Sequence, residues 1–210
     1  MTRRGEQVVR LHPFKKGLRV LAVAESFSKE VTDRSVLAGV VTRKDRVIDG
    51  FALTEITVGG MDATDGVLEL LKSLARNDIN LIMLNGCVVA WFNVIDLTRL
   101  HETVKLPLIC VTYEESQGLE KYFKEYFPSD GEMRIAIYEK NCTRREALLH
   151  TGYKVFIREV GLEFDEAVRL LNEFTIQGGL PEPLRLAKLL ARTVHTAIQN
   201  GKLKYGKFSS

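Results

Sequence analysis

The sequence predicts an α/β protein built on one mixed sheet, and three observations carry the prediction. Three β-rich apolar runs with short connections fill the first part of the chain, Arg19–Phe27, Ser35–Thr42 and Arg46–Val58, the pattern of an antiparallel meander. Beyond Asp62 the apolar spacing becomes helical, and helices then alternate with short apolar strands, as in sheets whose parallel strands are joined by crossovers. The chain closes on a long amphipathic stretch with Leu184, Ala187, Leu190, Ala191, Val194 and Ile198 on one face, suited to covering a sheet.

The elements follow in order. Asp62 or Thr64 suits the N-cap of a helix whose inner face is Val67, Leu70, Leu71 and Leu74. Ile79–Leu84 reads as a buried strand, Asn93–Lys105 as a helix, Leu106–Thr112 as a strand, Glu115–Phe127 as a helix and Met133–Glu139 as a strand. Lys154–Val160 adds a strand at an edge or beside the antiparallel part, Phe164–Phe174 a helix stopped by Gly178-Gly179, and Pro181-Glu182-Pro183 opens the last helix, with Asn200-Gly201 ending it.

With 210 residues, 45% hydrophobic, and no Pro- or Gly-rich break, the chain reads as a single domain over residues 1–200, followed by a mobile basic tail at 201–210. No apolar run approaches the roughly 20 residues that span a bilayer, and Met-Thr-Arg-Arg-Gly does not open a signal peptide, so a cytoplasmic protein is expected. Cys87, Cys110 and Cys142 form no C-x-x-C pair, which argues against a disulfide framework or a zinc knuckle. His12, His101, His150 and His195 lack metalloprotease spacing, and no P-loop or G-x-G-x-x-G follows a strand. Charge is segregated: residues 1–19 and 182–210 each carry six Lys/Arg against one acid, while the body carries 18 against 25. Basic ends on an acidic body suit a protein that grips a phosphate backbone beside a metal, and equally suit solubilising termini.

Acidic or amide residues stand where apolar strands stop: Glu25 after Val20–Ala24, Gly59-Gly60-Met61-Asp62-Ala63-Thr64-Asp65 after Leu53–Val58, and Asn85-Gly86 after Leu81–Leu84. Functional groups of α/β sheets collect beyond strand ends, so a divalent-metal centre is the natural candidate. Glu25 carries the most weight, because a carboxylate closing an apolar run needs a partner, for which Arg34 and Lys29 are near in sequence. Asp62, Asp65 and Asp96 are equally explained by helix starts, and Asn85-Gly86 by a tight turn.

Three antiparallel strands followed by alternating helices and parallel strands is the order of the ribonuclease H-like fold. Four stretches resemble an uncharacterised archaeal group, domain-of-unknown-function family ninety-nine, itself distantly similar to endonuclease V: Arg19-Val-Leu-Ala-Val-Ala-Glu-Ser-Phe27, Ile56-Thr-Val-Gly-Gly-Met-Asp-Ala-Thr64, Met83-Leu-Asn-Gly86 with Phe92-Asn-Val-Ile-Asp96, and Gly179-Leu-Pro-Glu-Pro-Leu-Arg185. The resemblance implies carboxylates on the first strand, near the start of the first helix and at the end of the fourth strand, holding Mg²⁺ or Mn²⁺ for phosphodiester hydrolysis in DNA or RNA. These positions fall on Ala24 or Glu25, on Asp62 or Asp65, and on Asn85, with Asp96 nearby. Alanine cannot ligate, asparagine brings no charge, and Gly59 stands where the family favours aspartate.

The expected site is therefore Glu25, Asp62 and Asp65 as catalytic carboxylates, with Glu25, Asp62, Asn85 and Asp96 around the metal. Trp91 and Phe92 could stack on a base or pack in the core, and Arg144 and Arg145 could grip phosphate or lie solvated. Three functions stay open: an endonuclease V-like, metal-dependent nuclease; a nucleic-acid binder that has lost catalysis; and a protein-interaction or small-ligand module on the same fold.

Overall fold

A computed structural model of the chain describes residues 17–29, 32–115 and 118–206. The meander forms as expected, from β1 (Arg19–Ser26), β2 (Arg34–Arg43) and β3 (Ile48–Thr57), with Ala24 opposite Ala38 and Leu37 opposite Thr54. Helix α1 (Ala63–Leu74) leads to β4 (Leu81–Asn85), which lies parallel to β1, and α2 (Leu97–Val104) leads to β7 (Leu108–Thr112), parallel to β4. Between β4 and α2 runs a small hairpin of β5 (Val88–Val89) and β6 (Asn93–Val94). Helices α3 (Glu120–Tyr126) and α4 (Gly131–Lys140) follow, then β8 (Arg145–Leu148), β9 (Lys154–Val160), α5 (Phe164–Phe174) and α6 (Glu182–Gln199). The seven-stranded sheet runs β3-β2-β1-β4-β7-β9-β8, and β9 is antiparallel to both its neighbours.

Side-chain alternation splits the core into two layers. Val20, Ala22 and Ala24 of β1 face α5 and α6, where Leu170, Phe174, Leu184 and Ala187 are fully buried. Leu21 and Val23 face α1 and α2, packing with Val67, Leu70, Leu97 and Leu100. Both faces are covered, so the open chemistry lies at the ends of the strands.

Four expectations need correction. Met133–Glu139 is helical, within α4: its alternating Ile135 and Ile137 imitate a strand, while the residues that face inward are Gly131 and Arg134, which no hydrophobic pattern reveals. Residues 93–105 are not one helix, because Asn93 is a buried clamp in β6, its Nδ2 donating to Thr57 O and Asp62 Oδ1 while its Oδ1 accepts from Ala63 N. The edge strand β8 escaped notice because only Ala147 of its four residues is buried, which makes β9 an inner strand. The 201–210 segment is tied down in its first half: Tyr205 Oη donates to Arg34 O at 3.0 Å, and Gly206 N donates to Glu55. Residues 207–210, and the basic segment 1–16, lie outside the described residues. No described helix is long and apolar enough to cross a membrane.

Candidate active site at the strand ends

The ends of β1, β4 and β7 open into a cleft of about 490 Å³, lined by Glu25, Asn85, Cys87, Tyr113, Arg144 and Arg158 among others. Glu25 leaves β1 on the side opposite Ala24, whose methyl is buried under α6, so the carboxylate does not take residue 24's place. It is half-buried, and Ser35 Oγ donates to it at 3.3 Å. Burial raises its pKa, against the opposing pull of the Ser35 hydroxyl, the Ala90 N–H and the positive charge of Lys188. The neighbours first considered are engaged elsewhere: Arg34 Nη1 reaches Thr57 Oγ1, and Lys29 Nζ sits 3.9 Å above the Trp91 ring.

Asn85 closes β4, one strand over. Extending the β1–β4 register by one step pairs it with Ala24, so Glu25 and Asn85 leave opposite faces, and both line the cleft at the strand ends. Its Oδ1 is buried without a hydrogen-bond partner, as is Tyr113 Oη, whose phenol burial pushes up in pKa. A buried acceptor left unmade costs about 1–3 kcal/mol, so a group in the cleft that donates to or coordinates Asn85 Oδ1 would recover that cost.

The other acids go elsewhere. Asp62 takes the N-cap position of α1 without capping it: its carboxylate accepts from Thr57 N, from Thr57 Oγ1 at 2.8 Å and from Asn93 Nδ2 at 2.6 Å. Asp65 is exposed and paired with Arg99, while Asp96 caps α2 by accepting from Arg99 N and pairs with Lys140 at 3.3 Å. Among the described residues no three acidic, histidine or cysteine side chains gather as a metal cage. Toward a hard cation the cleft lining offers the carboxylates of Glu25, Glu114 and Glu115 and the carbonyl oxygen of Asn85, which has no hydrogen-bond partner. Oxygen donors of this kind, carboxylates and an amide carbonyl, are the chemistry that hard divalent cations take.

Arg144 lines the cleft, lying over the Phe156 ring and donating to Glu114 O; Arg145 points away and pairs with Glu159. Two cleft residues had no sequence signal. Arg158 sits inside β9, where it donates from Nε to Cys142 O at 2.9 Å and lies over Tyr138. Cys87 also lines the cleft, its thiol pKa held below the usual value by the hydrogen bond with Cys110 and by the charge of Arg158, against burial.

Trp91 and Phe92 sit in the turn joining β5 to β6, where Ala90, Trp91 and Phe92 all have positive φ, 40°, 56° and 66°. Three consecutive left-handed residues without glycine are held by outside contacts. Gly59 N donates to Ala90 O, and Arg134, only 2% exposed, donates to Phe92 O, Gly60 O and Gly59 O, each at 2.8 Å. Gly59 itself has φ 68°, and a Cβ there would lie 2.9 Å from the Trp91 ring, so the indole fills the space that a side chain at 59 would need.

An antiparallel meander, followed by two further strands parallel to β1 and a polar cleft at their ends, makes an α/β protein with a ribonuclease H-like fold. The chain belongs to the Endonuclease dU family, which residues 16–195 match. A UPF0215 protein of Pyrobaculum aerophilum is 35% identical over 188 residues, covering 88% of this chain and 99% of the relative. The crystal structure of a protein of unknown function from Archaeoglobus fulgidus superposes with a TM-score of 0.72 at 26% identity, over 84% of this chain and 98% of that one. Endonuclease V of Ciona intestinalis, solved with an inosine-containing DNA, superposes with a TM-score of 0.61 at 15% identity over 88% of each chain, a likeness of fold.

Proposed function

We propose that the protein is a divalent-metal-dependent endonuclease that hydrolyses a phosphodiester bond in DNA or RNA, with Glu25 as its cleft carboxylate. The observation that carries this reading is a cleft at the strand ends of an endonuclease V-like fold whose lining includes a half-buried Glu25 and an Asn85 Oδ1 without a hydrogen-bond partner. The family's name makes a deoxyuridine-bearing DNA strand the first substrate to try, and the Ciona complex makes an inosine-bearing strand the second.

In this reading Glu25 and Asn85 would hold Mg²⁺ or Mn²⁺, which when bound supplies an activated water and offsets charge on the leaving oxygen. Glu25 would take the proton of the attacking water, a task that a carboxylate with its pKa raised by burial suits. Arg144 and Arg158 face the cleft and balance the phosphate's charge. Asp62 and Asn93 keep the 57–62 turn and the 88–94 hairpin in place. They position the site without touching substrate.

Calorimetric titration of Mn²⁺ into the full chain tests the metal half of the reading. The expected result is weak binding by the protein alone, at least tenfold tighter with a phosphorothioate deoxyuridine strand present, and abolished by Glu25→Gln. Equal binding by wild type and Glu25→Gln in both conditions removes Glu25 as a ligand. Asn85, an uncharged residue at the end of β4, favours one second reading, a nucleic-acid binder without catalysis, which such a result would support.

A further inference from the structure

Beside the cleft, an aromatic surface stands in the open. Tyr122 and Tyr126 lie one turn apart on α3, 44% and 45% exposed, with ring planes 8° apart and centroids 6.4 Å apart. Phe92 continues the row, 6.3 Å from Tyr122 at an interplanar angle of 25°, and Trp91 lies 5.9 Å from Tyr126. The layer beneath is fixed: Phe127 packs against Trp91 at 5.1 Å, and the Arg134 guanidinium lies 3.8 Å from the Phe127 ring centre while donating to Phe92 O. Lys29 Nζ sits 3.9 Å from the Trp91 ring centre and 5.7 Å from that of Tyr126, so the surface carries a cation at its rim.

Two features make these rings more than exposed core. Tyr122 and Tyr126, both exposed, stand with nearly parallel planes, Phe92 lies 25° from Tyr122, and Trp91 is tilted 48° to Tyr126, so the tyrosines form a flat face that Phe92 and Trp91 border. They are also joined to the cleft through the strained 90–92 turn, whose first residue donates its N–H to Glu25 and whose next two supply Trp91 and Phe92. A ligand that lays flat rings on such a surface and carries negative charge past Lys29 toward the cleft has the chemistry of an unpaired stretch of nucleic acid. Duplex DNA hides its base faces in the stack.

We propose that Trp91, Phe92, Tyr122 and Tyr126 form a stacking platform for unpaired nucleobases next to the cleft, so that the strand reaching Glu25 is single or locally opened. The inference rests on the nucleic-acid reading above, and adds which form of the strand is taken and which residues choose it. Stacking on an aromatic side chain tolerates any base, so the platform favours single strands without reading sequence.

Trp91 is the chain's one tryptophan, so intrinsic fluorescence reports on the platform alone. A single-stranded oligothymidylate and a duplex of equal length are titrated into the full chain in a chelator, where no cleavage occurs. The expected result is saturable quenching of Trp91 by the single strand at lower concentration than by the duplex. Tyr122→Ala or Tyr126→Ala should weaken that binding about tenfold with an unchanged salt slope, Tyr126→Phe should bind as wild type, and Lys29→Ala should lower the salt slope by about one charge. Single-strand binding that leaves Trp91 unquenched and both Tyr→Ala variants unaffected overturns the platform, as does equal affinity for the duplex. Binding with quenching, but no cleavage of a deoxyuridine-bearing or an inosine-bearing single strand after metal is added, keeps the platform and sinks the nuclease reading. Cleavage of single strands undiminished by Tyr122→Ala and Tyr126→Ala does the reverse.

Discussion

Glu25 holds its place at a cost in stability. Burial raises its pKa, so the ionised form is destabilised in the folded chain relative to the unfolded one, and the penalty is present above the raised pKa and fades as pH falls through it. Glu25→Gln is therefore expected to raise the melting temperature at neutral pH, with the gap to wild type closing on acidification toward pH 4. A Tm series over that range checks it, and a variant that is less stable throughout would show that the carboxylate is a structural group. The same raised pKa should make cleavage fall away at a higher pH than an ordinary glutamate would give. Arg134 is the opposite kind of residue, buried and bonded to three backbone carbonyls and to Asp130 at 2.8 Å. Arg134→Met strands those acceptors, each worth about 1–3 kcal/mol, so a loss of at least about 3 kcal/mol is expected in urea unfolding.

The 88–94 hairpin decides the site at the scale of elements. Gly59 and Trp91 compete for one space, so Gly59→Ala, which also forces a side chain onto φ 68°, is expected to cost about 1–2 kcal/mol and to push the indole toward solvent, seen as a red shift of its emission. An unshifted spectrum would mean that the turn gives way instead. The hairpin also marks the limit of what the sequence discloses. The meander, α1, α5 and α6 were legible because their apolar residues recur at the period of the element, as in Val67 and Leu70 or Leu184, Ala187 and Ala191. Residues 93 and 131–140 were not, since Asn93 and Arg134 face inward to satisfy backbone groups brought close only by the fold. Glu25 and Asn85 were legible as strand-end polar residues. Asp62, Asp65 and Asp96 had equally good reasons to stand at helix starts, and there the bonds to Thr57, Arg99 and Lys140 hold them.

Over the whole molecule, charge is arranged along the chain more than in any one patch. Arg19 is spoken for, in a chain of ion pairs with Asp49, Arg76 and Asp78 at the end of β1 remote from the cleft. Lys29, Arg144, Arg158 and Lys188 instead attend the cleft and its aromatic rim. Association with DNA should accordingly weaken steeply with salt, and the slope of log K against log[salt] measures how many phosphates are held. The most direct test of the account is incubation of the full chain with an end-labelled deoxyuridine strand in Mn²⁺ or Mg²⁺, resolved on a denaturing gel beside Glu25→Gln. The account predicts a discrete metal-dependent cut that the variant abolishes although it still binds the strand. An intact strand under every metal condition, or cutting that survives Glu25→Gln, would contradict it.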